Sequence, residues 1–135
     1  LMQFIDTVTL LAAFFPDEKH HAKAKKIVEA ITDGNAKNVV YSDYILDELL
    51  TLARAKKGTE ASKNILEEIL DSEITQLKIE QKHLAVAFEI FKKYGKLSFT
   101  DCTTVALMLD LGIKEIYSFD RDFDSVPRII RLEEA

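Results

Sequence analysis

Four aspartates of this 135-residue chain stand at positions where their carboxylates could meet in one site. Asp6 and Asp120 each come directly after a short apolar run, Asp122 lies two residues further on, and Asp101 lies in the first turn of a predicted helix. In an open α/β sheet the ligand site lies outside the carboxyl ends of the strands, so polar residues just after strands are its first candidates. We therefore expect these four side chains to face the same end of a sheet.

Each aspartate also has an ordinary structural interpretation. Asp6 could cap the helix that follows it, Ser98 and Asp101 have the spacing of a capping box, and Asp120 could begin a turn. For any one of them alone the structural role is the more common. Caps explain helix starts, however, and do not explain why acids dominate the same end of a sheet.

Glu48 is harder to interpret as a surface residue. On a predicted helix, its neighbours three and four positions away are Ile45 and Leu52, which should face the core, whereas the neighbours of Asp47 are more polar. A buried carboxylate without a partner is costly, so it normally has a charged partner or a metal ion. A salt bridge from Glu48 to a lysine is the alternative.

Several carboxylates in one site repel one another unless divalent cations are present. Oxygen ligands suit Mg²⁺ or Mn²⁺, and such ions can orient a water and stabilise charge on a phosphodiester, as in two-metal nucleases. No serine or cysteine nucleophile with a paired histidine is visible. The single cysteine, Cys102, cannot form an internal disulfide, and we expect it to be a buried small hydrophobe.

The elements that must position these residues alternate along the chain between strand and helix. Strands are predicted at residues 2–5, 39–41, 74–79, 115–119 and 128–132; helices are predicted from about residues 7–15, 17–30, 43–57, 59–70, 80–94 and 98–111. This alternation predicts an α/β fold, a single domain over residues 1–135 with a mostly parallel central sheet flanked by helices on both faces. Five aromatic residues recur at helical spacing and are predicted to be core, although some could form a dimer face: Phe14, Phe15, Tyr44, Phe88 and Phe91.

Composition limits the classes of function. With 47% hydrophobic residues the chain can bury one core, and it has neither a membrane-length apolar run nor a secretion signal, so we expect a cytoplasmic protein. The net charge of -5 argues against binding nucleic acid by general electrostatic attraction. It is compatible with nuclease chemistry if the excess carboxylates form a metal site.

Arg121, between two of the acids, is the best candidate for a phosphate contact. Helix-end cations at residues 54–57 and 92–96 could stabilise helix dipoles or form a basic rim.

Four segments of the chain, in order, resemble the acidic motifs of PIN domains: residues 4–7, 42–49, 97–102 and 118–123. A compact single domain is most similar to the VapC toxins of VapBC toxin–antitoxin pairs. The resemblance implies a Mg²⁺- or Mn²⁺-dependent endoribonuclease, commonly a homodimer, held inactive by an antitoxin that inserts a segment into the active-site groove. It also implies roles for individual residues: Asp6 and Asp101 as chief metal ligands, Glu48 and Asp120 completing the quartet, Asp122 as auxiliary, and Thr7 as a contact to a ligand or water.

Two other hypotheses stay open. The chain could be a catalytically weak PIN-like module that serves as a binding partner, with its acids structural; affinity for a divalent metal separates this from the nuclease. It could also be a receiver-like or phosphatase-like domain in which one aspartate becomes phosphorylated. That third hypothesis is less favoured because no second acid follows Asp6 and no lysine ends a late strand.

Overall fold

Five short strands form one parallel sheet in the computed structural model, which describes residues 1–135. The strands are β1 (Gln3–Ile5), β2 (Val39–Ser42), β3 (Thr75–Leu77), β4 (Glu115–Tyr117) and β5 (Ile130–Leu132). Their order across the sheet is β3-β2-β1-β4-β5, and every neighbouring pair is parallel. The predicted parallel sheet is confirmed. Its order differs from the 2-1-3-4-5 order of receiver-like folds, which argues against the receiver-like form of the phosphorylated-aspartate hypothesis.

Six helices cover the sheet. They are α1 (Thr7–Phe14), α2 (His21–Thr32), α3 (Asp43–Lys57), α4 (Thr59–Asp71), α5 (Gln81–Lys93) and α6 (Phe99–Leu111), with a short 3₁₀ helix at Arg121–Ser125. The chain moves from β1 through β2 to β3 in one direction along the sheet, then returns past β1 to β4 and β5. Because parallel crossovers are right-handed, α1 to α4 lie on one face and α5 and α6 on the other, as predicted. None of the helices is long and apolar enough to cross a membrane.

Local capping explains most of the element boundaries. The Ser42 hydroxyl accepts a hydrogen bond from the Ile45 amide (3.1 Å) and begins α3, while Gly112, at φ +69°, ends α6 in the left-handed conformation. The prediction that the second helix begins at Asp17 was wrong, because α2 begins at His21. Asp17 instead forms a salt bridge with Lys57 on α3 (2.5 Å). His20 has a φ of +69°, a left-handed conformation that keeps the helix from beginning earlier.

The core lies between the sheet and both helix layers. The central strands β1 and β4 are almost fully buried, and residues 102–108 of α6 are buried on every side, so α6 packs as a core helix rather than an amphipathic one. Cys102 is buried, as predicted. Phe88 and Phe91 were wrongly predicted to be core, because 49% and 52% of their surfaces are exposed.

Candidate active site

The acidic residues gather at the point where the strand order reverses. β1 and β4 are neighbours in the sheet, but the chain leaves them in opposite directions, which opens a crevice at their carboxyl ends. Asp6 follows β1 and Asp120 lies beyond the end of β4. The Asp6 amide donates a hydrogen bond to the Tyr117 carbonyl (3.2 Å), so the two strand ends are joined at the site.

A cavity of about 260 Å³ opens at this crevice. Four of the five predicted acids line it, together with apolar, hydroxyl and cationic neighbours: Asp6, Glu48, Asp101 and Asp120, with Thr7, Val8, Leu52, Lys96 and Ser98. A larger groove of about 590 Å³ is lined by residues of α2 and α4 and by none of these acids. The convergence of acids, rather than volume, therefore marks the candidate site.

Asp6 both caps a helix and faces the cavity. Its Oδ1 accepts a hydrogen bond from the Thr9 amide (2.9 Å), and only 4% of the residue surface is exposed. Burial raises the pKa of Asp6, hydrogen bonds from Ser118 and Thr9 oppose that rise, and the negative charge of Asp120 adds to it. The structural and functional interpretations of this residue are thus compatible.

Asp101 combines the same two roles at the start of α6. Its Oδ2 accepts from the Ser98 amide (3.2 Å) while its own amide donates to the Ser98 hydroxyl (3.1 Å), which is the predicted capping box. Burial, followed by the negative charges of Asp6 and Asp120, raises the pKa of Asp101 to about 7. The three aspartates therefore repel one another across the cavity.

Glu48 reaches the cavity from the second turn of α3. It is half-buried, whereas Asp47 beside it is exposed. Glu48 takes part in none of the salt bridges of the protein, so the alternative of a lysine partner is not observed. Its carboxylate has no other charged partner that would keep it from binding a cation.

Asp120 is held by its own loop. Its amide donates to the Ser118 hydroxyl (3.0 Å), and its Oδ1 accepts from the Asp122 amide (2.9 Å), so it does form the turn that was the alternative to a site role. Burial raises the pKa of Asp120, and the negative charge of Asp122 contributes to the rise. Asp122 and Arg121 do not line the cavity, and Arg121 is exposed, so their site roles stay predictions.

Of two features of the surroundings, Lys96 was predicted only as one of several cations of a basic rim, and Arg131 was not predicted. Lys96 lines the cavity, although sequence pattern distinguished it from other helix-end cations in no way. Arg131 of β5 binds the loop that carries Asp120 through long-range contacts that no periodicity signals. By contrast, Lys56 and Lys57 are bound to acids of the 17–18 segment, so their charges are largely neutralised.

Comparison with known proteins identifies the fold and its family. The family model for the PIN domain matches residues 4–129, and ribonuclease VapC13 of Mycobacterium tuberculosis is 30% identical over 113 residues, which are 84% of this chain and 86% of that protein. The chain belongs to the PIN-domain family. Its PIN fold closely follows that of VapC20 of Mycobacterium tuberculosis, a toxin that cleaves the sarcin-ricin loop, with a TM-score of 0.79 over 91% of this chain and 93% of that one at 24% identity.

A second solved structure with the same PIN fold is VapBC2 of Rickettsia felis bound to a DNA fragment from its promoter. The TM-score is 0.74 over 98% of both chains, at 14% identity. At such low identities the likeness extends to the fold alone. The family match and the fold together confirm the resemblance that the four acidic motifs predicted.

The donors of this PIN site fit a hard divalent cation in chemistry. The cavity offers four carboxylates and no thiolate or imidazole, and oxygen donors are those that Mg²⁺ and Mn²⁺ prefer. Burial raises the pKa of Asp6, Asp101 and Asp120, and the negative charge of neighbouring carboxylates adds to each rise; a bound cation would offset both effects. No three of the chain's His, Cys, Asp or Glu side chains are already closed into a ligand set. An open set suits Mg²⁺, which keeps several waters and takes one or two carboxylates directly.

Proposed function

We propose that this protein is a Mg²⁺- or Mn²⁺-dependent endoribonuclease, the toxin component of a type II toxin–antitoxin pair. The observation that carries the proposal is the convergence of Asp6, Glu48, Asp101 and Asp120 on one cavity at the switch point of a PIN-family sheet. The names of its relatives support RNA as the substrate.

Asp6, Asp101, Asp120 and Glu48 would hold the cation. A bound divalent cation would supply Lewis acidity and charge neutralisation for in-line attack by water on the phosphodiester. In that step the water would lose a proton as its oxygen bonds to phosphorus, one P–O ester bond would break, and the leaving oxygen would gain a proton. Asp122 would act as an auxiliary acid, because its negative charge acts on Asp120.

Thr7 and Arg121 would contact the substrate. The Thr7 side chain lines the cavity directly beside Asp6, where its hydroxyl can donate to a phosphate oxygen or a water. Arg121 is exposed and free of salt bridges, so its guanidinium can pair with a phosphate of the RNA backbone. Lys96 adds a cation at the cavity and offsets part of the acidic charge that RNA must approach.

The direct test is cleavage of a mixed pool of tRNA and structured RNA by the purified protein with Mg²⁺, with Mn²⁺ or with EDTA. We expect cleavage that requires the metal and is lost in Asp6→Asn. Asp47→Asn is the matched control, because it removes an exposed acid on the same helix as Glu48 and should cut like the wild type. Equal cutting by Asp6→Asn and the wild type would contradict the proposal.

One observation favours a second candidate, a PIN-like binding module with structural acids. The net charge of -5 disfavours binding of RNA by general electrostatic attraction. Isothermal titration with Mn²⁺ separates the two functions. A nuclease site should bind Mn²⁺ and lose that binding in Asp6→Asn, whereas a binding module should show no affinity that depends on Asp6.

We also propose a cytoplasmic location and a cognate antitoxin that occupies the acidic cavity. Support for a partner comes from the similar fold of VapBC2 from Rickettsia felis, and a cationic side chain of such a partner would match the charge of the cavity. A small protein should co-purify from native cells. Removing it in urea, followed by refolding, should release cleavage activity, and a preparation already active without this step would argue against the partner.

A homodimer is supported by an aromatic patch on α5 and α6, formed by Phe88, Phe91 and Phe99. Phe99 contacts both other rings, with centroids 5.8 and 5.9 Å away, while Phe88 and Phe91 are half exposed. Large apolar groups clustered at a surface mark interaction sites. Sedimentation should show a dimer that Phe91→Ser weakens, whereas Leu70→Ser, on the exposed side of α4, should not. An unaltered dimer in Phe91→Ser would exclude this patch.

A further inference from the structure

Arg131, on the edge strand β5, is more tightly held than any other arginine of the chain. Only 11% of its side chain is exposed. Its Nε and Nη2 donate to the two carboxylate oxygens of Asp124 (3.0 and 3.3 Å), and its Nη1 donates to the Ser118 carbonyl (3.1 Å) and to Glu133. The planar fork of the guanidinium is therefore engaged on three sides.

These contacts connect the two ends of the segment that carries Asp120. Ser118 lies at the start of that segment, just beyond β4, and Asp124 lies near its end in the 3₁₀ helix. Between them the segment is held by its own hydrogen bonds, among them those from the Asp120 amide to Ser118 and from the Asp122 amide to Asp120, and by the fully buried side chain of Phe123. These bonds form the turn, and Arg131 joins its two ends through contacts from the neighbouring strand β5.

The contacts of Arg131 matter for the acidic cavity because the other carboxylates of the cavity repel Asp120, which the contacted segment carries. Asp6 and Asp101 are fixed by β1 and by the start of α6, both of which are anchored in the core. Asp120 is carried by a loop, and its carboxylate is repelled by the two fixed ones. Without the contacts of Arg131, the turn that carries Asp120, ahead of the buried Phe123, can relieve that repulsion by moving outward, which would open the set of ligands.

We propose that Arg131 is a positioning residue that holds the Asp120 loop against the repulsion of Asp6 and Asp101. This role rests on the proposed function. Arginine is required because the bidentate contact to Asp124 and the bond to Ser118 use nitrogens in fixed directions. Lysine would keep the charge but could not make both contacts. Groups that orient metal ligands commonly change metal affinity by 10- to 100-fold when they are removed.

The chain offers a matched control in Lys57. It is similarly buried, with 13% of its side chain exposed, and it also binds two acids, Asp17 and Glu18. Those contacts hold the connection between α1 and α2 and touch none of the cavity residues. Lys57→Met therefore measures what loss of a buried ion pair does to the fold alone.

The experiment compares wild type, Arg131→Lys and Lys57→Met by two readouts. The first is Mn²⁺ affinity from electron paramagnetic resonance titration; the second is hydrogen exchange of the Asp120 and Asp122 amides in EDTA. We expect Arg131→Lys to weaken Mn²⁺ affinity about tenfold and to speed exchange at both amides. Lys57→Met should leave both readouts at wild-type values even where it lowers the melting temperature.

Asp124→Asn tests the same contacts from the other side and keeps Arg131 in place. It removes one charged acceptor from a residue that is half exposed, so the fold is retained, and it should shift both readouts in the same direction by less. Wild type and Arg131→Lys with equal Mn²⁺ affinity would overturn the role given to Arg131 and leave the proposed function standing. A wild-type protein without Mn²⁺ affinity would overturn the proposed function itself.

Discussion

Replacing Asp101 with asparagine should stabilise the metal-free protein at pH 8. Asparagine has nearly the same size, and its side-chain oxygen can accept the hydrogen bond that the Ser98 amide now gives to Asp101. The substitution removes a negative charge that lies close to Asp6 and Asp120 in a poorly hydrated cavity. The gain comes from the loss of repulsion and of the desolvation cost.

The size of the effect follows from the pKa. The pKa of Asp101 is raised from 3.8 to about 7. At 1.36 kcal/mol per pKa unit, the full shift would correspond to about 4 kcal/mol. Because Asp101 is partly exposed and its charge is screened, we expect about 1 to 2 kcal/mol. For a chain of this size that raises the melting temperature by about 3 to 8 °C.

The sign depends on pH. A carboxyl whose pKa is raised in the folded state binds more protons when folded, so the protein loses stability as pH rises from the unfolded value of 3.8 toward about 7. Asp101→Asn should therefore gain little at pH 4 and reach its full gain at pH 8. Thermal and urea unfolding in EDTA at both pH values measure the difference.

Asp110→Asn is a control of opposite sign. Hydrogen bonds from His83 and then Lys82 lower the pKa of Asp110, so this carboxylate stabilises the fold above its unfolded pKa. Its replacement should cost stability at pH 8 and cost less in acid. The reasoning on Asp101 is refuted if Asp101→Asn is less stable than the wild type at pH 8, or if its gain is the same at both pH values.

Three further predictions concern single residues. Glu48→Gln should reduce metal-dependent cleavage about 100-fold. The melting temperature in EDTA should stay close to that of the wild type because Glu48 has no salt bridge. A large loss of stability would contradict this prediction. Burial and the charge of Asp101 raise the pKa of Cys102 to about 11, so iodoacetamide at pH 8 should alkylate it only after unfolding, as mass spectrometry would show. Gly112→Ala should cost about 1 kcal/mol in urea unfolding because φ is +69°, whereas Gly95→Ala, which has no positive φ and open space around it, should cost less.

The pattern of the sequence predicted the site where chemistry and secondary structure coincide. Asp6 and Asp120 could be placed at one edge because parallel strands end there together, and Glu48 could be placed because its helical neighbours are apolar. The sequence pattern could not predict that the same acid both caps a helix and faces the cavity. Asp6 and Asp101 cap helices and line the cavity at the same time.

The errors arose where contacts between distant segments decide the structure. On α5, helical spacing favoured Phe88 and Phe91 as core, but His83 is buried instead. Its Nδ1 accepts from the Glu80 amide and its Nε2 pairs with Asp110 (2.8 Å), so both nitrogens are satisfied inside the protein. The partner on α6 lies 27 positions away, and no periodicity along α5 reveals it.

The central pairing of β1 with β4 sets the order of events during synthesis. Gln3 is in register with Glu115, so β1 leaves the ribosome well before β4 and must wait for it before its second edge is covered. Until then Asp6 has no Asp120 beside it, and the acidic site does not exist. A nascent or truncated chain that stops before β4 therefore lacks the assembled acidic site. The site forms only after β4 has been synthesised and has paired with β1.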